Sequence, residues 1–244
     1  ILIASVVTFV ILRYFIDSPW GKHVPKADGF MGPLLDARAS WFFFESPNLI
    51  WCCVSFIYRD KELFQAPNMV LFALFVAHYI NRAIIYPWRL SPRTKPMPLV
   101  VVAAAFLFCT FNGYVQSRNL CQFQRYPPGY LTSPHFLSGL IVFVGGILIN
   151  QQADSILRNL RQPGESGYKI PRGGMFEYVT GAHYFGEIVE WAGFGIATNS
   201  LCAWAFCLYT ASNLVPRAVS HHKWYKNTFK DYPTNRKAIF PFLW

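Results

Sequence analysis

The chain has 244 residues, of which 53% are hydrophobic, 18% aromatic and only 14% charged. That is more apolar than a water-soluble domain of this length, and it points to a protein held in a bilayer. The net charge of +10 admits nucleic acid, an anionic lipid surface or a phosphorylated ligand as partner, and its placement along the chain decides among them.

The sequence opens at Ile1, inside an apolar run and without an initiator Met, so 1–15 is read as the remnant of a first membrane span whose original N-terminus is missing. Residues 17–40 carry Pro19, Gly21, Pro25, Gly29, Gly32 and Pro33 and are too polar to cross, so they form a loop. A second span follows over 41–58, with Ser46-Pro47 near its start as either a helix cap or a kink. The third covers 66–87 and the fourth 97–116, after the basic turn WRLSPRTKP. A Pro- and Tyr-containing loop over 117–135 precedes the fifth span, 136–152, and the sixth and seventh cover 176–197 and 201–215. Each approaches the roughly 20 apolar residues needed to cross about 30 Å of hydrocarbon.

The charges test this division. The first, third and fifth loops and the tail hold sixteen Lys and Arg, while the opposite loops hold four, Arg59, Lys61, Arg118 and Arg125. Positive charge collects on the cytosolic side, so the expectation is an all-α membrane bundle of seven transmembrane helices. It forms one domain over 1–244, with the N-terminus outside and the C-terminus cytosolic. The cations form no nucleic-acid-reading face. The six cysteines lie mostly in apolar runs with no CxxC pair, and read as small buried hydrophobes.

Polar chemistry concentrates over 150–191. Asn150 and Asp154 stand at i, i+4 on one helix face, and Arg158 and Arg161 continue toward a turn at Pro163-Gly164. A basic loop with Lys169, Arg172, Gly173 and Gly174 leads to His183, Glu187 and Glu190, again on one face. Ionisable groups within spans are costly and tend to be functional; Glu45, Arg82, Asp154, Glu187 and Glu190 qualify. Structural pairing across helices is the plainer account of any one of them. Arg93, Lys95, Asn150, Asp154, Arg161 and Arg217 all fall near cytosolic helix ends, which suits a ligand bearing several phosphates. For Lys223, Lys226 and Lys230, contact with lipid headgroups is the preferred reading. Neither a GxGxxG turn after a strand nor a Walker loop occurs, so a nucleotide site would not be of a soluble type. The six scattered histidines do not supply the clustered motifs of a di-iron hydroxylase, and no metal is expected. Glu45 follows Trp41, Phe42, Phe43 and Phe44. Apolar surroundings favour its uncharged carboxyl, which can donate a hydrogen bond, and Tyr79 is a second donor. Two such donors could polarise a ketone oxygen on a lipid-like substrate.

These residues lie in motifs that resemble the steroid 5α-reductase family: WFFFESP, AHYINRAIIYP, NQQADSILRNLRQPGESGYKIPRGGMFEYVTGAHYFGEIVEW and LVPRAVSHHKWYKNTFKDYPTNRKAIFPF. The resemblance runs from about Trp41 to the end. It implies a seven-helix membrane enzyme that reduces the carbon–carbon double bond of a 3-oxo-4-ene steroid with NADPH. Glu45 and Tyr79 match the family's pair on the substrate ketone. Asn150, Asp154, Arg161, Tyr168, Glu187, Arg217, His221 and Tyr225 match its cofactor residues, with Arg93 and Lys95 on the loop after the third span and His183 at a further cofactor position, where the family has Asn. Phe44 stands where the compared sequences have Gln and Ser220 where they have His. These departures suggest a distant member, lying in the inner membrane if bacterial and in the endoplasmic reticulum if eukaryotic. The expected partners are a steroid or related enone and the bilayer, with no nucleic acid, and the expected state is monomeric. A membrane methyltransferase of the isoprenylcysteine type and a non-catalytic sterol or lipid carrier are the rival readings; the methyl donor carries no phosphates and would leave the phosphate-suited residues unexplained.

Overall fold

A computed structural model describes residues 1–15, 31–91, 94–161, 165 and 167–243. The expected turn at Pro163-Gly164, Arg93 and most of the loop over 17–40 lie outside the described residues. The chain divides into two compact units, Ile1–Asp17 with Pro134–Trp244, and Ser18–Ser133. Seven long helical segments occur among the described residues, each coinciding with one of the expected spans: α1 Leu2–Phe15, α2 Ala37–Ile57, α3 Ala66–Arg89, α4 Leu99–Phe123, α5 Pro134–Arg158, α6 Ala182–Thr198 and α7 Leu201–Thr228. Of these, α3, α4 and α5 are long and apolar enough to cross a membrane by length and composition, and α1 is a shorter apolar helix.

The unit Ser18–Ser133 is built on α2 against α4, with α3 alongside. Asp36 caps α2 by accepting from the Ala39 N–H at 2.9 Å, which satisfies one of the unpaired donors of a helix start. The helix therefore begins before Trp41, and Pro47 lies in its interior, not in its first turn. Proline has no N–H for the carbonyl four residues back; the Ser46 hydroxyl instead donates to the Phe43 carbonyl at 3.0 Å. A two-residue antiparallel pairing, β1 Leu34–Leu35 with β2 Met97–Pro98, joins the segments that enter α2 and α4. Polar residues of this unit point inward: Asn48, Asn68 and Asn112 are fully buried, while Leu107 is 69% exposed. Apolar surface facing out over a hydrogen-bonded interior suits a lipid environment.

In the other unit α5 and α6 are the tightest pair. A Cβ added at Gly146 would lie 2.2 Å from the Glu190 backbone N, and one at Gly193 2.2 Å from the Phe143 N. Gly139 and Gly186 make similar backbone contacts. The four glycines form two i, i+7 pairs, one on each helix, so the backbones touch along a seam, as small residues allow in membrane helix pairs. α1 runs against α7.

The start of α6 differs from the expected boundary at Phe176. A 3₁₀ turn occupies Gly174–Glu177, and residues 178–181 after it are not helical: Val179 forms an isolated bridge with Lys237, and the returning tail hydrogen-bonds to the segment through Lys237 N to Tyr178 O at 2.9 Å, Thr180 N to Lys237 O at 2.9 Å and Gly181 N to Ala238 O at 3.0 Å. Helical winding starts only at Ala182. α7 continues well past Val215 to Thr228, and that extension carries Arg217, His221 and Tyr225.

Candidate active site

Two polar clusters, one in each unit, hold most of the residues singled out above. In the unit Ser18–Ser133, Glu45 on α2 is 8% exposed and Tyr79 on α3 is 3% exposed. The Cys109 Sγ on α4 lies 3.5 Å from Glu45 Oε2, so this cysteine is more than a small hydrophobe. One turn further along α4, the Asn112 amide donates to Tyr79 Oη at 3.1 Å. Tyr79 also lies against Phe75, with ring centres 4.7 Å apart, and His78, 5.0 Å apart. Arg82 is held over the faces of Trp41 and Tyr86 at 4.9 and 5.0 Å, a cation–π arrangement that makes a guanidinium tolerable in so apolar a helix. Phe44 turns into an apolar cluster with Met97, Val102 and Cys109. A buried carboxyl and a buried phenol, each with a hydrogen-bonding neighbour, can present donors to a carbonyl oxygen in a site that excludes water.

The second cluster gathers at the α5–α6 seam and the α7 extension. The Asn150 amide donates to the His183 carbonyl at 2.9 Å; Gly186 makes this reach possible, since a Cβ there would lie 2.5 Å from the Asn150 N. Asp154 is one turn beyond Asn150 and buried, and Glu187 one turn beyond His183 and half-buried. Tyr184 is not among the expected residues, yet three of those residues surround its ring. His183 has its ring centre 3.8 Å away, His221 lies at 5.8 Å, and the Arg217 guanidinium sits over the face at 4.8 Å. Arg161 and Tyr168 meet on the exposed side: the guanidinium donates to the Gly167 carbonyl at 3.4 Å and lies 6.0 Å from the Tyr168 ring. Tyr168 packs edge-on against Trp224. The Tyr225 hydroxyl reaches the Lys169 carbonyl at 3.5 Å. Burial, with Tyr232 and Tyr168 adding to it, pushes the Tyr225 phenol up to about 12, against the opposing pull of Arg236 and Arg161. Lys95 is exposed just before β2.

Arg236 is a second residue missed, one of the sixteen Lys and Arg of the basic loops and tail. Its side chain is fully buried, and Nε and both terminal nitrogens have no hydrogen-bond partner among the described residues. The Glu177 carboxylate is 3.8 Å away and the Tyr232 ring 5.5 Å. A buried guanidinium so poorly paired is costly, and it fits an anion such as a phosphate. Near it, the Thr180 hydroxyl joins three groups: His222 Nδ1 at 2.6 Å, the Tyr232 hydroxyl at 2.7 Å and the Lys237 carbonyl at 3.2 Å. Burial, reinforced by Lys226 and Lys237, lowers the His222 pKa and so favours the neutral ring at this junction.

These features define the class: a helical protein with apolar helices long enough to cross a membrane, in which one unit holds a buried carboxyl and phenol and the other holds amide, imidazole and guanidinium groups. The model for 3-oxo-5-alpha-steroid 4-dehydrogenase matches residues 95–244. The chain is 48% identical to the 3-oxo-5-alpha-steroid 4-dehydrogenase 1 of Rattus norvegicus, over 93% of this chain and 87% of the relative. Against the Homo sapiens protein of the same name it is 45% identical, over 93% and 86%. It is 42% identical to the steroid 5-alpha-reductase DET2 of Solanum lycopersicum, over 100% of this chain and 94% of the relative. The chain belongs to the 3-oxo-5-alpha-steroid 4-dehydrogenase family, and is thus an oxidoreductase acting on CH–CH groups.

Proposed function

We propose that the protein reduces the 4,5 double bond of a 3-oxo-4-ene steroid to the 5α product with NADPH as reductant. The observation that carries this reading is the burial of Glu45 and Tyr79 among apolar helices, Glu45 accepting from Cys109 and Tyr79 from Asn112, in a chain of this family. Glu45, as an uncharged carboxyl, and Tyr79 donate to the 3-ketone oxygen, drawing electron density from the conjugated double bond and making its β-carbon electrophilic. NADPH, when bound, supplies the hydride that this carbon accepts. As the enolate forms, Glu45 and Tyr79 stabilise the charge on its oxygen, and the enolate carbon next to the ketone then takes a proton.

Asn150, Asp154, Arg161, Tyr168, His183, Glu187, Arg217, His221 and Tyr225 hold the cofactor in this proposal, with Arg93 and Lys95 on the loop before α4. The donor set suits a dinucleotide: guanidinium groups for phosphates, an amide and carboxylates for hydroxyls and a carboxamide. Arg236, buried with three nitrogens lacking hydrogen-bond partners among the described residues, fits an anionic group in the same way. The positive-inside count supports seven spans with these groups on the cytosolic side.

The test is turnover of purified protein with NADPH and a 3-oxo-4-ene steroid, following cofactor oxidation and the stereochemistry at carbon 5. Loss of one preorganised donor to an oxyanion costs about 10²–10³ in rate, so Tyr79→Phe and Glu45→Gln are each expected to lose that much while NADPH still raises their melting temperatures. Stabilisation by S-adenosylmethionine in place of NADPH would turn the assignment to a methyltransferase.

A further inference from the structure

The interior of the unit Ser18–Ser133 contains a set of side-chain amides at full burial. One of them ties two helices together: Asn68 donates to the carbonyls of Leu120 and Gln124, both at 2.8 Å, and so fixes the end of α4 to the start of α3. Asn48, Asn112 and Gln116 instead form a line from α2 through α4 that ends on Tyr79.

The direction of each amide in that line is dictated from one end. The Glu45 backbone carbonyl can only accept, so Asn48 presents Nδ2 to it, at 3.4 Å. That turns Asn48 Oδ1 toward Asn112, which must present its own Nδ2, at 3.5 Å. The same Asn112 Nδ2 lies 3.1 Å from Tyr79 Oη, while Asn112 Oδ1 accepts from Gln116 Nε2 at 3.3 Å. The network therefore assigns the phenol oxygen the role of acceptor toward Asn112. The α2 and α4 backbones are held together at this point, because a Cβ on Gly113 would lie 2.7 Å from the Asn48 Cα.

We infer that Asn112 is a positioning residue for the reaction: by donating to the Tyr79 oxygen it occupies a lone pair, turns the phenol proton away from α4, and leaves that proton for the substrate ketone. This rests on the reading of Tyr79 as a ketone donor. An amide hydrogen bond on the phenol oxygen also polarises the O–H and strengthens it as a donor. Were Asn112 replaced by a group that accepts, the phenol proton would be drawn toward α4 and away from the substrate.

A double-substitution cycle tests the role. Turnover with NADPH and a 3-oxo-4-ene steroid is measured for the parent chain, Asn112→Ala, Tyr79→Phe and the two combined, with product followed over long incubations and folding checked by thermal unfolding. Loss of a buried hydrogen bond to a catalytic donor is expected to lower kcat about tenfold, with KM for the steroid changed less than about twofold. In the Tyr79→Phe background the same Asn112→Ala change is expected to lower kcat by less than about twofold, because the group it positions is gone. Equal losses in the two backgrounds would mean that Asn112 supports only the packing of α4, and would overturn the inference alone. Full activity of Tyr79→Phe would sink the ketone-donor reading and this inference with it. If Asn112→Ala does not fold, Asn112→Asp takes its place in the cycle under the same criterion, since it keeps the volume and exchanges the N–H donor for oxygen.

Discussion

The α5–α6 seam makes the sharpest quantitative prediction, because two adjacent glycines on one helix face opposite fates. A methyl group at Gly146 would meet the Glu190 N at 2.2 Å and its Cα at 2.5 Å, whereas one at Gly145 meets nothing within 4 Å. Ordinary carbon contacts begin near 3.5 Å, so Gly146→Ala forces the helices apart by about 1.3 Å. One turn along, the 2.9 Å bond from Asn150 to the His183 carbonyl would stretch to about 4 Å, beyond hydrogen-bond range. Overpacking of this kind costs about 1–3 kcal/mol, or roughly 2–12 °C in melting temperature for a chain of this size. Gly145→Ala should instead leave stability unchanged or raise it by about 0.5–1 kcal/mol, since alanine is the better helix former. Thermal unfolding in detergent, with and without NADPH, reads both. Gly146→Ala is expected to lower the melting temperature and shrink the increment that NADPH adds, while Gly145→Ala does neither. Indistinguishable behaviour of the two would refute the claim that α5 and α6 touch backbone to backbone.

The remaining expectations concern single groups. Arg236→Met removes a buried charge without hydrogen-bond partners among the described residues, so the ligand-free protein should keep its stability; if the guanidinium serves a cofactor anion, NADPH affinity should fall about 10–100-fold, as for other charged hydrogen bonds. His222, whose pKa is lowered in the fold, resists protonation there but not when unfolded. Its contribution to stability is present above the ordinary histidine value and is lost as pH falls from about 6.5 through the lowered value. His222→Gln should flatten that decline in a melting series from pH 8 to 5. Tyr225, pushed up to about 12, should stay a phenol while exposed tyrosines ionise near 10, so Tyr225→Phe should leave the tyrosinate absorbance at pH 10.5 unchanged.

Apolar runs of span length place seven helices in the sequence with little ambiguity, and the boundary at Phe176 fails for a definable reason. Residues 176–181 are apolar enough to belong to α6, but Tyr178 to Gly181 exchange hydrogen bonds with Lys237 and Ala238, which arrive from nearly sixty residues away. No local pattern encodes that return. The same return buries Arg236, which reads in isolation as one more cation of a cytosolic tail. Tyr184 is hidden beside His183 in another way: nothing in the local spelling says that Arg217 and His221 of α7 will meet its ring. Other omissions were legible. Gly139 with Gly146 and Gly186 with Gly193 share a seven-residue spacing that marks helix faces meant to touch, and Asn112 stands in an apolar run where an amide costs almost as much attention as a charge. Weighing only ionisable groups within the spans passes over it.

Glycine and asparagine work as one device in both units. Gly113 lets the α4 backbone reach the Asn48 Cα, and Asn48 and Asn112 then meet within 3.5 Å. Gly186 lets α6 reach the Asn150 backbone, and Asn150 then reaches the His183 carbonyl at 2.9 Å. An asparagine side chain is short and has few rotamers, so it can bridge helices only where their backbones nearly touch. In return it holds a defined donor direction that a longer glutamine or lysine would lose to side-chain entropy. The Gly113–Asn48 contact stands beside the phenol of Tyr79, and the Gly186–Asn150 contact beside Asp154, His183 and Glu187. Backbone contact in an apolar interior thus supplies the rigidity that a polar site needs where no water can repair a misdirected hydrogen bond.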